Sequence, residues 1–320
     1  MTGSRGISLA RDGWERARVP LKLQFGDVVL GKVFLSLFRR NGRLDERPLE
    51  ISEVPEAPPQ LDGADGFVVW SHPLATRLPI LTLRGGLIRY SPRQYERFSI
   101  DLSGSFDRYM AGFSGKTRSG FRRKLRKFAE TSGGTIDWRQ LRTPDELAIF
   151  FDAARTVSAK TYQERLLGIG LPNSSEFITS SLTLAKADHV RAYLLFLMGK
   201  PISYLYCSAN DRVVAYDYLG YDPTYSSLSP GTVLQLLALE ALFAEQRFAT
   251  FDFTEGEGQH KKTFSTASRL CGDVYVLGRR FVPMSRVMLH YATDRISAGI
   301  GAALDRFDLR SVARRLVRRI

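Results

Sequence analysis

The stretch that most constrains this chain spans residues 213–264, VVAYDYLGYDPTYSSLSPGTVLQLLALEALFAEQRFATFDFTEGEGQHKKTF. VVAYDYLGY alternates and is rich in β-branched and aromatic residues, the pattern of a strand. SSLSPG opens a helix: Ser229 suits the N-cap, Pro230 suits the first helical position, and Gly231 leaves backbone N–H groups uncovered by any Cβ. Residues 232–245 predict an apolar helix that packs on a sheet, and residues 250–253 a second short strand. That strand runs into Glu255-Gly256-Glu257-Gly258, a polar, glycine-rich loop. A helix N-terminus beside a strand that ends in carboxylates sets an anion cradle next to acid/base groups. The expectation is an enzyme that holds a phosphorylated co-substrate.

The flanking sequence supplies a sheet for these elements. Strands are expected at 66–70, 78–83, 135–141 and 272–277, a strand or strand pair at 27–38, and a hairpin from 191–198 and 201–208. Helices are expected at 105–112, 116–130, 144–160 and 174–188. Thr143-Pro144-Asp145-Glu146 opens the third with acids in its first turn. Residues 1–20 read as peripheral, 48–65 as a proline-rich loop, and 161–168 as a loop or helix end. No repeat of fixed period is present.

The formal net charge of +13 is concentrated in two patches. Residues 116–127 hold seven basic residues and no acid. Residues 286–320 hold eight arginines against Asp294, Asp305 and Asp308. On the first helix Phe121, Leu125 and Phe128 form one stripe and the other face is wholly basic. Two readings stay open for it: a solvated bridging helix, or a phosphate- or membrane-facing one with Arg122 and Arg123 as contacts. The tail is read as two basic amphipathic helices with Ile296, Ile300, Leu304 and Phe307 on one stripe, either packed on the domain or lying on an anionic membrane. Nucleic acid is the remaining class of anionic partner.

No run is long and apolar enough to span a bilayer, and the first residues lack the apolar core of a secretory signal. Cys207 and Cys271 lie in apolar strand-like runs without metal spacing, so both are expected as buried thiols in a reducing cytoplasm, and no metal is expected. There is no Ser/His/Asp ordering and no P-loop.

Tyr221-Asp222-Pro223, Tyr225, Ser229-Pro230-Gly231, Asp252-Phe253, Gly256 and Lys261 together resemble the motif region of the Gcn5-related N-acyltransferase (GNAT) superfamily. Within it the chain resembles the cellulose-biosynthesis-type acetyltransferase branch, related to the FemA/FemB peptidyltransferases. The resemblance spans roughly residues 100–280. It departs from the branch in two places: His260 stands where the branch has tyrosine, and the pyrophosphate loop is reduced to Ser-Pro-Gly. The resemblance implies an α+β fold with a mixed, mostly antiparallel central sheet flanked by helices. It also implies a truncated first half, giving an expected organisation of 1–112 (truncated half), 113–134 (basic linking helix), 135–283 (catalytic domain) and 284–320 (basic C-terminal helices).

The implied reaction is acyl transfer from a CoA thioester, acetyl or long-chain, to an amine. Its acceptor would belong to the cell envelope, a lipid amine such as a sphingoid base or an amino sugar, with the enzyme cytoplasmic or peripheral on the inner membrane face. Ser229, Pro230, Gly231 and Thr232 would hold the pyrophosphate, with Lys261, Arg122 and Arg123 as further anion contacts. Backbone N–H groups of 217–220 would polarise the carbonyl. The base is sought among Asp252, Glu255, Glu257, His260 and Asp217, with Asp252 and Glu257 first; Tyr221 and Tyr225 are candidates to reprotonate the thiolate. For Asp252 a structural acceptor, for Glu257 a solvated loop acid and for His260 a surface residue are the competing readings. An aminoacyl-tRNA donor and a catalytically degenerate scaffold are the rival functions.

Overall fold

The computed structural model describes residues 13–25, 28–161, 170–256 and 258–306. The chain divides into two compact units. The central unit is Arg97–Ser268; the flanking unit joins Ala10–Glu96 to Arg269–Ile320. The chain passes from one to the other within β6 (Gln94–Asp101) and again within β12 (Ala267–Gly278). The sequence reading places its boundaries elsewhere, at 112/113, 134/135 and 283/284.

The sheet of the central unit runs β6, β11 (Thr250–Asp252), β10 (Val213–Tyr221), β9 (Lys200–Ala209), β8 (Val190–Leu197), β7 (Trp138–Leu141). Only β10 and β11 pair in parallel; the other neighbours are antiparallel, the mixed and mostly antiparallel α+β arrangement expected. Every residue of β8 is buried. Tyr193, Leu195 and Leu197 enter one core with Phe121, Phe128 and Leu234, whereas Ala192, Leu194 and Phe196 enter another with Phe150 and Phe177. Helices therefore cover both faces, because alternate strand residues point opposite ways.

These helices are α1 (Phe106–Ala111), α2 (Gly115–Thr131), α3 (Pro144–Ser158), α4 (Ser175–Lys186), α5 (Pro230–Glu245) and α6 (Gln259–Phe264). Thr143 and Glu146 close a reciprocal capping box at the start of α3, as the sequence predicts. α5 buries residues all round, from Val233 to Phe243, which explains its lack of a polar face.

In the flanking unit β1 (Glu15–Phe25) and β2 (Val28–Asn41) form an antiparallel hairpin. β2 pairs in parallel with β3 (Gly66–Pro73), and β12 pairs antiparallel with β3 and with β5 (Leu87–Tyr90), which also pairs with β4 (Leu81–Arg84). Val19, Leu21, Leu35, Leu37, Tyr90 and Leu277 form its core, closed by Val287 of α7 (Phe281–Arg306). Several expectations are corrected here. β1 starts at Glu15 in a segment read as peripheral; Pro20 is tolerated there because β1 is an edge strand. β5 and β6 went unread. The described tail is one helix that begins at Phe281, earlier than the sequence suggests; residues 307–320, including Asp308 and Phe307, lie outside the described residues. Cys207 and Cys271 are both buried.

Candidate functional site

β10 and β11 pair in parallel over three residues only, ending at Ala215↔Asp252. Beyond that point β11 stops while β10 runs on through Tyr216 to Tyr221. The strands thus part, and the backbone of β10 past Ala215 has no β11 partner. A bulge sits at the same place: Tyr216 pairs with Cys207 and Tyr218 with Tyr206, leaving Asp217 as the extra residue. Its carboxylate accepts the Ser208 N–H at 2.6 Å and the Ser208 hydroxyl, so Asp217 holds the bulge together.

The floor of this opening is a buried charge network. Asp252 is 3 % exposed and accepts two hydrogen bonds from Arg97 of β6, from Nε at 3.0 Å and from Nη2, and a third from the Thr254 N–H at 2.8 Å. A carboxylate gripped by a guanidinium fork is stabilised as an anion. Lys261 donates its Nζ to the carbonyls of Phe253 and Glu255, both at 2.7 Å, and so fastens the loop after β11. Burial lowers the Lys261 pKa, opposed by the charges of Asp252 and Glu255. The loop needs left-handed backbone at Thr254 (φ 60°) and Gly256 (φ 88°), and Thr254 Oγ1 donates to the Tyr216 carbonyl at 3.2 Å. This ties β10 to the loop where the strands part.

His260, on the first turn of α6, faces the same place. Its Nε2 lies 3.5 Å from the Tyr216 hydroxyl, and its ring contacts those of Tyr216 and Phe253. Desolvation, with the charge of Lys261, lowers the His260 pKa from its usual 6.5. The imidazole is therefore neutral at pH 7 and able to accept a proton. Burial raises the Tyr216 pKa, keeping it a hydroxyl donor.

The other end of β10 meets the start of α5. Gly231 packs so closely there that a Cβ would lie 3.1 Å from Leu219 Cδ2 and 3.3 Å from Tyr221 Cδ1. Pro230 occupies N1 as expected, but Ser229 is left-handed (φ 53°, ψ 49°) and makes no side-chain capping bond. The cap position is correct and the cap bond is missing: in that conformation the hydroxyl does not reach back to the helix. The opening N–H groups thus have no side-chain cap, which leaves the positive end of a 16-residue helix for an anion. Asp222-Pro223, read as a turn, starts a short 3₁₀ helix, Pro223–Leu228. Asp222 caps it by accepting from Thr224 N–H at 3.0 Å and pairs with Lys160 at 2.9 Å. Lys127 of α2 donates to the Ser227 carbonyl at 3.0 Å, which brings the basic helix to the Ser-Pro-Gly turn. Arg122 and Arg123 are exposed on α2.

The structure therefore gathers Asp252, Lys261 and His260 at one end of β10, and Tyr221, Ser229, Pro230, Gly231 and Thr232 at the other. Six residues of strand, roughly 20 Å, separate Tyr221 from the Asp252 register. Tyr221 is not brought together with Asp252 or His260; it stands with the anion end. Lys261 likewise is spent on two carbonyls. Glu257 lies outside the described residues. Sequence reasoning missed Arg97, Tyr216 and Thr254. Arg97 lies 155 residues before its partner, and only the buried acid in a short strand hinted that such a cation must exist.

Among the described residues no group of three or more His, Cys, Asp or Glu side chains is placed to hold a metal. Residues 115–262 match the family described as acetyltransferase (GNAT) domain. The mixed, mostly antiparallel α+β fold flanked by helices is GNAT-like. None of the curated proteins matches the sequence. Similar solved structures include one described as FemX, 10 % identical, covering 87 % of this chain and 91 % of that one with a TM-score of 0.46. Another is L-PGS from Bacillus licheniformis, 14 % identical over 72 % and 73 % of the two chains, TM-score 0.46. A third is a conserved protein of unknown function from Bacteroides thetaiotaomicron VPI-5482, 14 % identical over 65 % and 69 %, TM-score 0.44.

Proposed function

We propose that this chain, with its GNAT acetyltransferase domain, is an N-acyltransferase that moves an acyl group from a CoA thioester to an amine of a cell-envelope component. The observation that carries the reading is the parting of β10 and β11 between a neutral histidine and an uncapped helix start. The chemistry of the donor set fits the pyrophosphate: backbone N–H groups of α5, with the cations of α2 beside them. On the side of β10 where β11 has ended, backbone N–H groups past Ala215 are suited to polarise a thioester carbonyl.

In this mechanism His260 accepts the proton of the attacking amine and Tyr216 orients the imidazole through its hydroxyl. The amine nitrogen forms its bond to the carbonyl carbon, the carbon–sulfur bond breaks, and the proton goes to the leaving thiolate. Asp252 and Arg97 act as positioning residues: they fix the loop on which His260 and Lys261 are mounted. The acceptor is a lipid amine or an amino sugar, in keeping with the branch resemblance, and a place of work at the inner membrane face belongs to the same reading.

Calorimetric titration with acetyl-CoA, palmitoyl-CoA and free CoA tests the donor. Saturable binding of a thioester supports the reading, and the tighter chain length selects between sugar and lipid acylation. A second reading, an aminoacyl-tRNA donor, is favoured by one feature: α2 carries seven cations against the single Glu130 and ends beside the Ser-Pro-Gly turn. It predicts no binding of any CoA species and salt-sensitive binding of tRNA.

A further inference from the structure

Among the described residues, the β1–β2 hairpin ends in apolar side chains that stand largely exposed. Phe25, Val28, Val29 and Leu30 are 38 %, 42 %, 45 % and 67 % exposed. A half-buried ribbon alternates, yet here three successive residues of β2 are exposed, so both faces of the tip stand in solvent. A bulge between Leu23 and Gln24 leaves Leu30 out of the register, which accounts for its exposure. Such a tip is costly to leave in water and calls for a covering partner.

Charge identifies that partner. Lys22 stands directly opposite Lys32 in the register just behind the tip. Like charges placed opposite each other on a sheet repel, and the Lys22 pKa is lowered by burial and by the charges of Lys32 and Arg93. A cleft of about 420 Å³ runs along the same hairpin, lined by Arg18, Lys32, Val33, Phe34, Ser36 and Arg286, three cations and no acid. Arg286 also reaches Asp65 at 3.9 Å.

Helix α7 leads to the same end. Arg280 donates to the Ala64 carbonyl, Arg286 to the Phe34 carbonyl at 2.8 Å, and His290 meets the Lys22 backbone. Successive turns of α7 thus advance along the hairpin toward its tip. Val287 faces the core, while Val282, Leu289, Ile296 and Ile300 are exposed and share one side of the helix. Among the described residues, Asp294 is an acid of α7 and pairs with His290.

We propose that this end of the flanking unit docks on an anionic lipid bilayer: the tip residues and the outer side of α7 enter the headgroup boundary, and Lys22, Lys32 and Arg18 meet lipid phosphates. Apolar side chains ringed by cations suit that boundary, where apolar burial and attraction to anionic lipid add. A second copy of the chain would bring like charge to like charge at Lys22 and Lys32. The inference goes beyond the transfer reaction and stands or falls without any acyl donor.

The test is flotation of the full chain with vesicles of phosphatidylcholine alone and of phosphatidylcholine mixed with phosphatidylglycerol. The expected result is binding to the mixed vesicles that weakens with added salt. Lys22→Gln with Lys32→Gln should lower partitioning roughly 30-fold, and Val29→Ser with Leu30→Ser roughly tenfold or more. Thermal unfolding of both variants should stay close to the parent, since Lys32, Val29 and Leu30 are exposed and Lys22 is only half-buried. Absence of binding to the mixed vesicles overturns the proposal, and so does binding that both variants retain. Self-association in sedimentation that the tip variant abolishes, without vesicle binding, assigns the tip to a second copy and overturns it too.

Discussion

In the central unit β8 buries all eight of its residues and feeds two cores at once, whereas β2 of the flanking unit begins with three apolar residues in solvent. The contrast extends through both units. Of the large apolar side chains exposed among the described residues, only Ile149, Met198 and Tyr221 belong to the central unit; the rest belong to the flanking unit. Both units bury polar groups, among them Arg89 and Asp273 in the flanking unit. The central unit holds the buried Arg97–Asp252 pair, with half-buried Lys261 bonded to the Phe253 and Glu255 carbonyls, where β10 and β11 part. On the reading proposed above, the unit that seals its apolar surface and holds charges in fixed geometry serves the chemistry, and the unit that leaves apolar surface outside and lines its cleft with cations serves docking.

The largest effect should come from the buried pair. Arg97→Met leaves Asp252 buried without its counter-ion, which costs about 3–5 kcal/mol. Hydrogen exchange should show protection lost around β11 and the loop after it, with the flanking unit unchanged. Arg97→Met with Asp252→Leu should regain much of that loss. If the single variant were as stable as the parent, the network would not be what supports the site.

A smaller effect is expected at the anion end. Reversing Arg123 and Lys127 to Glu should weaken donor binding by about tenfold or more, with stability nearly unchanged because both side chains are on the outer face of α2. Titration calorimetry checks this. Equal affinity would remove α2 from the donor site and narrow the contrast between the units.

His260 supplies a pH test. Its folded pKa lies below its unfolded value, so the unfolded state takes up the proton first as pH falls. The contribution to stability is full above the usual 6.5 and is lost as pH falls through 6.5 toward the folded value. An NMR titration should place the His260 midpoint below 6.5, and Lys261→Met should move it up by removing the repelling charge. A midpoint at or above 6.5 would contradict a neutral base. The smallest effect belongs to the flanking unit: Leu30→Ser should change stability by no more than about 0.5 kcal/mol, measured by thermal unfolding.

Much of the central unit was legible because its signals are local. Alternation in VVAYDYLGY, proline at the first position of α5 and the capping box of α3 each act within a few residues. The GNAT-like α+β fold was implied by the motif resemblance, with which their order agrees. What was not legible depends on distance in sequence. β6 was missed because its pattern QYERFSID places an arginine at a buried position, and that arginine makes sense only beside Asp252. Asp252 was read as a candidate base or a structural acceptor, and its partner Arg97 could not be read with it. Tyr221 was read as a candidate proton donor to the thiolate and His260 as a candidate base, and the length of β10 sets them at opposite ends. The exposure of the hairpin tip was unreadable because alternation predicts a buried face, and only the end of the sheet shows where burial stops.

Hydrogen–deuterium exchange on one sample, with a CoA thioester added in one arm and anionic vesicles in the other, tests the division between the units most directly. The account predicts that the thioester protects 216–220 and 229–233, and that vesicles protect 22–32 and 281–300. Thioester protection confined to the flanking unit, or vesicle protection confined to the central unit, would contradict it.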